Sequence, residues 1–556
     1  MNCPGGVPMS LLSKGRLVVV LFCLLIWPGC GDVYRPTIIP NPVQPPDPKN
    51  FHFVLAINQN NPAYPGSGMQ VDVSGDSTAG TTKVAMGPVH ASQLGFRVWV
   101  ANYLSDSVST FAPASAGGVS IGNSTNINLL PGSKPVFVES TETGTMYVAN
   151  SGQLTDVNTS QPYYAVNALN STTFAVASEI RVPGVTPWAL AETPDGRKLY
   201  VVNRDSNNVT VVNTVDESIN TTLPAGISPQ WVTARSDSAR VYVLSHDDGT
   251  LTTINSIPPT DVVLNTLSVG AGSNFLFYDS NANRLYIPNP SNSAVTIFDA
   301  NNDPPNVLAS IDLRQPITPG GTNSPCPATG CSPLSVAALP DGSRAYVISY
   351  YVDSNSSNCP QAAARPVEPC LVPTVTVINQ LTNQVTKAIP VTFDGTHPEV
   401  AVSPTGSCAD PTLVRFRFSI VAAADSSRVY VLSCDAGGIA SINTTGDSYV
   451  TTLPAPVSAY SPPLVQITAA TQAGSDTTYT YNPTTTTALS VGMSIAVTGM
   501  SDPGNNGTFT ITSLAGQQFM VVNPSGITAT GQNGAGLPQP GQQPPPQNPV
   551  WIFAGP

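Results

Sequence analysis

Charge is what this sequence has least of. Only 10% of its 556 residues are Asp, Glu, Lys or Arg, against roughly 25% in ordinary soluble domains. Acidic residues outnumber basic ones 33 to 21, the net charge is −12, and the one basic pair, Lys14 and Arg16, precedes an apolar run. That distribution excludes a nucleic-acid surface. Histidine is nearly as scarce: His52, His90, His246 and His397 are the four copies, and none is spaced from another as a metal-ligand pair. With no Cys-x-x-Cys either, neither a zinc ribbon nor a c-type haem site is encoded. Gly-x-Ser-x-Gly and phosphate-cradling glycine loops are missing as well, and Asp247-Asp248-Gly249 is too short for an EF-hand loop. No cofactor or metal is therefore expected. The apolar run at 17–27 would span only half of a ~30 Å hydrocarbon core.

What the chain has in quantity is Pro (55), Gly (44) and short β-branched runs, the composition of an all-β protein with many hairpins. One word recurs. Tyr200-Val201-Val202-Asn203 is followed by a polar turn and Val209-Thr210-Val211-Val212-Asn213, two strands of alternating apolar and polar residues. Copies of the first word begin at Trp99, Tyr147, Tyr242, Tyr286, Tyr346 and Tyr430, with a degenerate one at Leu55. Most stand 42 to 53 residues apart, and the last two gaps widen to 60 and 84. A four-stranded propeller blade needs roughly 40 to 50 residues, and such a unit cannot bury its own faces until neighbours stack against it in a ring. Tight turns such as Pro194-Asp195-Gly196 and Pro340-Asp341-Gly342 precede the word.

The Tyr-Val-x-Asn word, the Pro-Asp-Gly turn and runs such as Val375-Thr376-Val377-Ile378-Asn379 resemble the YVTN-repeat β-propellers, the YncE-like and surface-layer-type group, which neighbours lactonase-like and nitrite-reductase-type propellers. The resemblance covers about residues 50–460 and the C-terminal tail. It implies export and a repeat scaffold with little chemistry attached. The expected fold is all-β: a seven- or eight-bladed propeller over 51–460.

Export is also read from the N-terminus. Residues 1–30 have the layout of a signal peptide, and Gly29-Cys30 resembles a bacterial lipobox, in which Cys30 is lipidated and anchors the mature chain; Trp27 and Pro28 depart from the usual pattern there. Residues 31–50 are a Pro-rich tether. Cys326, Cys331, Cys359, Cys370, Cys408 and Cys434 remain in the mature chain, an even number that reads as disulfides in an oxidising compartment. Six cysteines allow 15 pairings; closure of local loops favours Cys326 with Cys331, Cys359 with Cys370 and Cys408 with Cys434.

After residue 460 the word disappears. Residues 464–535 alternate apolar and polar positions between Gly- and Asn-rich turns, a small all-β module. A Pro/Gln/Gly linker (536–548) then leads to Val550-Trp551-Ile552-Phe553. This last stretch, 549–556, has the character of a first blade strand, the piece lacking before Leu55. It is expected to return to the N-terminal blade and close the ring, which makes the 464–535 module an insertion.

His397 precedes a candidate inner strand and is the histidine placed to face the central channel. The leading expectation is a non-enzymatic, exported propeller in the bacterial cell envelope, held to the membrane through Cys30 and binding a protein or glycan at the cell surface. The alternative is a lactonase-like or quinoprotein-type enzyme with carboxylates, Asn or His converging on the central channel; a surface-layer component is a third reading, which ordered self-assembly would reveal.

Overall fold

An alternating strand presents one apolar face, and a lone hairpin has nothing to cover it. The computed structural model describes residues 52–555 apart from 61–63, 116–119, 142–143, 319–320, 322, 354–369, 403–407, 409, 457–464, 483–488, 490, 533 and 539–546. Residues 1–50, where the sequence suggests a signal segment and a tether with Cys30, and Cys359 lie outside the described residues. Among those described, the chain forms eight antiparallel sheets of four or five strands and one closed barrel.

The fourth sheet shows the plan. Its strands Pro187–Glu192, Lys198–Asn203, Asn208–Asn213 and Ile219–Pro224 pair in sequence order. The repeated word is always the second strand, and its aromatic residue is fully enclosed: Trp99, Tyr200, Tyr242, Tyr286, Tyr346 and Tyr430 are all 0% exposed. The polar residue that ends the word is buried as well. Asn203 Nδ2 donates to Asn208 Oδ1 at 2.8 Å and to Thr210 Oγ1 at 2.9 Å, and Asn102 Nδ2 donates to Ser109 Oγ at 2.9 Å. The short amide ties the second strand to the third at the turn between them, which is why Asn or Ser recurs there.

The innermost strands touch in a circle. That of the second sheet packs on those of the first and third, the third's on the fourth's, and the fourth's on the fifth's. Tyr242, Leu244 and Leu251 of the fifth sheet share a core with Leu285 and Ile287 of the sixth; sixth meets seventh, seventh meets eighth, and the eighth returns to the first. The protein is a β-propeller.

A second contact repeats between sheets and explains the rest of the word. In a strand, residues i and i+2 share a face, so the Lys or Arg two before the Tyr points the same way as its hydroxyl. In the fourth, seventh and eighth sheets both meet one acceptor on the following sheet. Asp261 takes Lys198 Nζ at 2.8 Å and Tyr200 Oη at 2.5 Å; Asp447 takes Arg344 at 2.7 Å and Tyr346 at 2.5 Å. Asp76 of the first sheet takes Arg428 and Tyr430 of the eighth, both at 2.8 Å. Asp76 and Asp447 each stand just before an outermost strand with φ of 45° and 47°, the left-handed region that Asp tolerates better than most side chains. In the second sheet Arg97 lies 4.3 Å above the ring of Phe174, which holds that same turn position in the third.

The ring is shut by the C-terminus. Asn548–Ala554 pairs antiparallel with Phe53–Gln59, with Leu55 opposite Phe553 and Ile57 opposite Trp551, as innermost strand of the first sheet. Between the eighth sheet and this strand lies the barrel, in the order Val465–Ala473, Asp476–Asn482, Gln518–Val522, Gly507–Ala515, Ser494–Thr498, Gly534–Pro538. It has its own core around Ile467, Tyr479, Ile495, Ile511 and Phe519.

Candidate functional site

Six innermost strands carry a proline at their first or second position. Pro88, Pro135, Pro187, Pro229, Pro333 and Pro549 each pair with the polar residue that ends the word, and the register slips immediately afterwards. Proline suits the first position of a strand because its missing N–H is not needed there, and the bulge re-aims the next side chains. In four strands the residue two after the proline is His90, Phe137, Trp231 or Trp551.

These rings meet on the axis. His90 stacks on Phe137 with centroids 3.8 Å apart and lies 4.2 Å from Trp551. Trp231 is 5.8 Å from Phe137, 5.0 Å from Phe275, and 6.0 Å from both Phe416 and Trp551. Trp231 belongs to the fifth sheet and Trp551 to the first, so their contact spans the ring. Side chains from non-neighbouring sheets meet only at the centre, and the channel at this level is filled by an aromatic plug.

One non-repetitive segment completes it. Residues 410–417 leave the stretched interval before the eighth sheet and cross the mouth. Cys408–Cys434 ties the segment to that sheet, Gln59 Nε2 donates to Leu413 O at 2.8 Å, and Phe416 enters the plug. Arg415 reaches across to the fourth sheet, donating through Nη2 to the Trp188 carbonyl. Its guanidinium lies 4.6 Å from the Trp188 ring centroid and 5.1 Å from that of Phe137. Arg204 stands on the same indole at 4.1 Å. Burial, with Arg204 beside it, lowers the Arg415 pKa to about 9. Burial, and then Arg415, holds the His90 imidazole well below its ordinary value; His90 Nδ1 accepts from Val138 N at 3.3 Å, which places the ring proton on Nε2.

Two residues beyond Phe137 on the same strand face is Glu139. Burial, and then the Glu192 carboxylate, raises its pKa to about 8, so at neutral pH it holds a proton. Glu192, 4% exposed, accepts from Thr141 N at 2.7 Å and Oγ1 at 2.8 Å.

The residues singled out from sequence lie elsewhere. His397 is in an exposed turn, with Nδ1 2.8 Å from Asp394 Oδ2. The strand it precedes, Val400–Ala401, pairs with Cys370–Asn379, third strand of the seventh sheet, and not with an innermost strand; the histidine at the axis is His90. Cys326–Cys331 and Cys408–Cys434 are disulfides; Cys370 is disulfide-bonded, and Cys359 lies outside the described residues. The axial rings went unrecognised because each copy is a single residue, yet Pro88-Val89-His90, Pro135-Val136-Phe137, Pro229-Gln230-Trp231 and Pro549-Val550-Trp551 carry a signal: proline, any residue, ring. Arg415 has no such signature. Among the described residues no three His, Cys, Asp or Glu side chains converge as a metal site.

No family model matches this chain, and no curated protein does. Among solved structures, apo AztD from Citrobacter koseri is similar at 13% identity and a TM-score of 0.48, covering 73% of this chain and 95% of its own. Pseudomonas aeruginosa periplasmic gluconolactonase PpgL is 14% identical with a TM-score of 0.42, over 61% of this chain and 95% of its own. A protein of unknown function from Desulfotomaculum acetoxidans DSM 771 is 11% identical with a TM-score of 0.41, over 60% and 94%.

Proposed function

We propose that this chain is an exported, non-enzymatic binding propeller of the YVTN-repeat type, with all eight sheets as blades of one ring, lipid-anchored through Cys30 and offering its disc to a protein or glycan partner at the bacterial cell surface. The observation that carries this reading is the plug. A channel enzyme places its polar groups in an open axial well, whereas here Trp231, Trp551, Phe137 and Phe416 occupy that space and leave the two faces of a rigid disc as the presented surface. Export is supported by the signal-like N-terminus and by the two disulfides. The test is affinity capture on intact cells with residues 31–556, read by cross-linking, beside a glycan array. Capture of one surface component that survives replacement of Trp231 supports a disc-face partner; no binding on either platform sinks the reading.

A second reading has one observation in its favour. Glu139, with its pKa near 8 beside Glu192, has the poise of a general acid or base at physiological pH. Hydrolysis of lactones by the purified chain, lost in Glu139→Gln, would establish the enzyme and displace the scaffold.

A further inference from the structure

Arg415 stands at the mouth of the axis with no ion-pair partner among the described residues. Arg204 and Arg415 share the indole of Trp188, and among the described residues the carboxylate bonded to this pair is that of Asp205, which accepts from Arg204 Nε at 2.8 Å and from Thr186 Oγ1 at 2.6 Å. Among the described residues no carboxylate pairs with Arg415. Its Nη1 is covered and has no hydrogen-bond partner, and the same holds for Trp188 Nε1. A guanidinium in such a place costs stability unless an acceptor meets it. Cation–π contact with Trp188 and Phe137 compensates the charge through the ring faces, and the Trp188 carbonyl accepts from Nη2, but neither supplies an acceptor for Nη1.

We propose that this mouth binds a small organic carboxylate with an aromatic or apolar body, anchored by Arg415. The carboxylate supplies the acceptors that Nη1 and Trp188 Nε1 lack, and its body packs on the rings of the plug. Planar, two-oxygen anions match the guanidinium fork, and the apolar walls select an acid with a hydrophobic body over a hydrated inorganic anion. Arg204, paired and nearer solvent, contributes charge to the approach. The position of Arg415 fits this role: it stands on the one segment that crosses the mouth outside the repeat, fixed by the Cys408–Cys434 bridge and by Gln59. The site is separate from the disc faces assigned to a macromolecular partner, so either assignment can fail alone.

The experiment titrates the full mature chain with benzoate, following tryptophan fluorescence and melting temperature, with benzamide and sulfate as matched controls. Benzoate is expected to change the emission of Trp188 and Trp231 saturably and to raise the melting temperature, with benzamide and sulfate at least tenfold weaker. Arg415→Met should lose tenfold or more in benzoate affinity while the unliganded protein melts no lower than wild type. Trp188→Phe keeps the ring, removes Nε1 and should weaken binding several-fold, which keeps the test alive where Arg415→Met does not fold. Equal responses to benzoate and benzamide, sulfate as effective as benzoate, no benzoate response at all, or unchanged affinity in a folded Arg415→Met or Trp188→Phe overturns the proposal.

Discussion

Removing residues 548–556 should unfold the propeller while leaving the barrel folded. The strand Asn548–Ala554 is paired at six positions with Phe53–Gln59, about five ladder bonds at a net ~0.5 to 1.5 kcal/mol each. It also buries Val550 and Ile552, 1% and 6% exposed, at ~1.5 to 3 kcal/mol per side chain. Trp551 adds the hydrogen bond from Nε1 to Ala91 O at 2.8 Å and its contacts with His90 and Trp231. The total, roughly 6 to 14 kcal/mol, equals the ~5 to 15 kcal/mol by which whole domains are stable. Fluorescence separates the two parts, because Trp99, Trp188 and Trp231 lie in the propeller and the barrel has no tryptophan. In a chain ending at residue 547, the tryptophan signal should lose its cooperative transition while the barrel keeps one in far-UV circular dichroism. A peptide of residues 547–556 added in trans should restore the lost transition. An unchanged tryptophan melt in the shortened chain would refute the clasp.

Three further perturbations follow from the same contacts. Asp76→Ala strands Arg428, the Tyr430 hydroxyl and Ser441 Oγ, which donates to it at 2.5 Å; it should cost ~3 to 5 kcal/mol, and Asp76→Asn distinctly less, since Asn tolerates the left-handed turn and keeps an acceptor. Equal denaturant midpoints for the two variants would count against the latch. Glu139, with a folded pKa near 8 against 4.5 in the free side chain, binds its proton more tightly folded than unfolded. Wild-type stability should therefore fall as pH rises from about 4.5 to about 8, by some 4 to 5 kcal/mol in all; in Glu139→Gln that slope should vanish, and parallel pH profiles of melting temperature would refute the assignment. Replacing Cys408 and Cys434 by Ala should cost ~3 kcal/mol for a closed loop of 26 residues and release the 410–417 segment, seen as faster amide exchange at Leu413 and Val414; unchanged exchange would show that the bridge does not hold it.

The repeat was legible because a blade imposes the same demands each time. A large buried residue and a short polar end are needed in every second strand, and most add a donor two residues earlier, so the word marked the strands even where Trp99 or Leu55 replaced Tyr. The closing strand was legible for a related reason: Leu55 had no first strand before it, and residues 550–553 had the missing character. His397 misled because Val400–Ala401 resembles a short strand in isolation, while its pairing partner is decided by an interval whose length the repeat does not govern. The latch acceptors were unreadable. Asp76, Asp261 and Asp447 pair across sheets, so no spacing within one repeat reveals them, and the same turn position holds Phe174 in the third sheet.

The departures from the repeat are where this molecule becomes particular. Eight copies of one sheet would give a symmetric ring with eight equivalent innermost positions, and a symmetric axis has no reason to bind one ligand in one orientation. Symmetry is broken at a few places: Trp188 sits in the bulge where other strands put Val, Gln or Leu, Ser335 takes the place of a ring, and the segment 410–417 lays Arg415 across the mouth from the opposite side. The latches join the sheets away from the axis, so substitutions at the mouth are freer of the demands of folding. That predicts an asymmetry testable by scanning: alanine at Tyr200 or Tyr430 should strongly destabilise the chain, costing ~3 to 5 kcal/mol as large aromatic truncations in cores do, whereas methionine at Arg415 should leave stability intact and change only what the mouth will hold. If Arg415→Met proves as damaging to folding as loss of Tyr430, the guanidinium belongs to the architecture, and the axis is a core like any other.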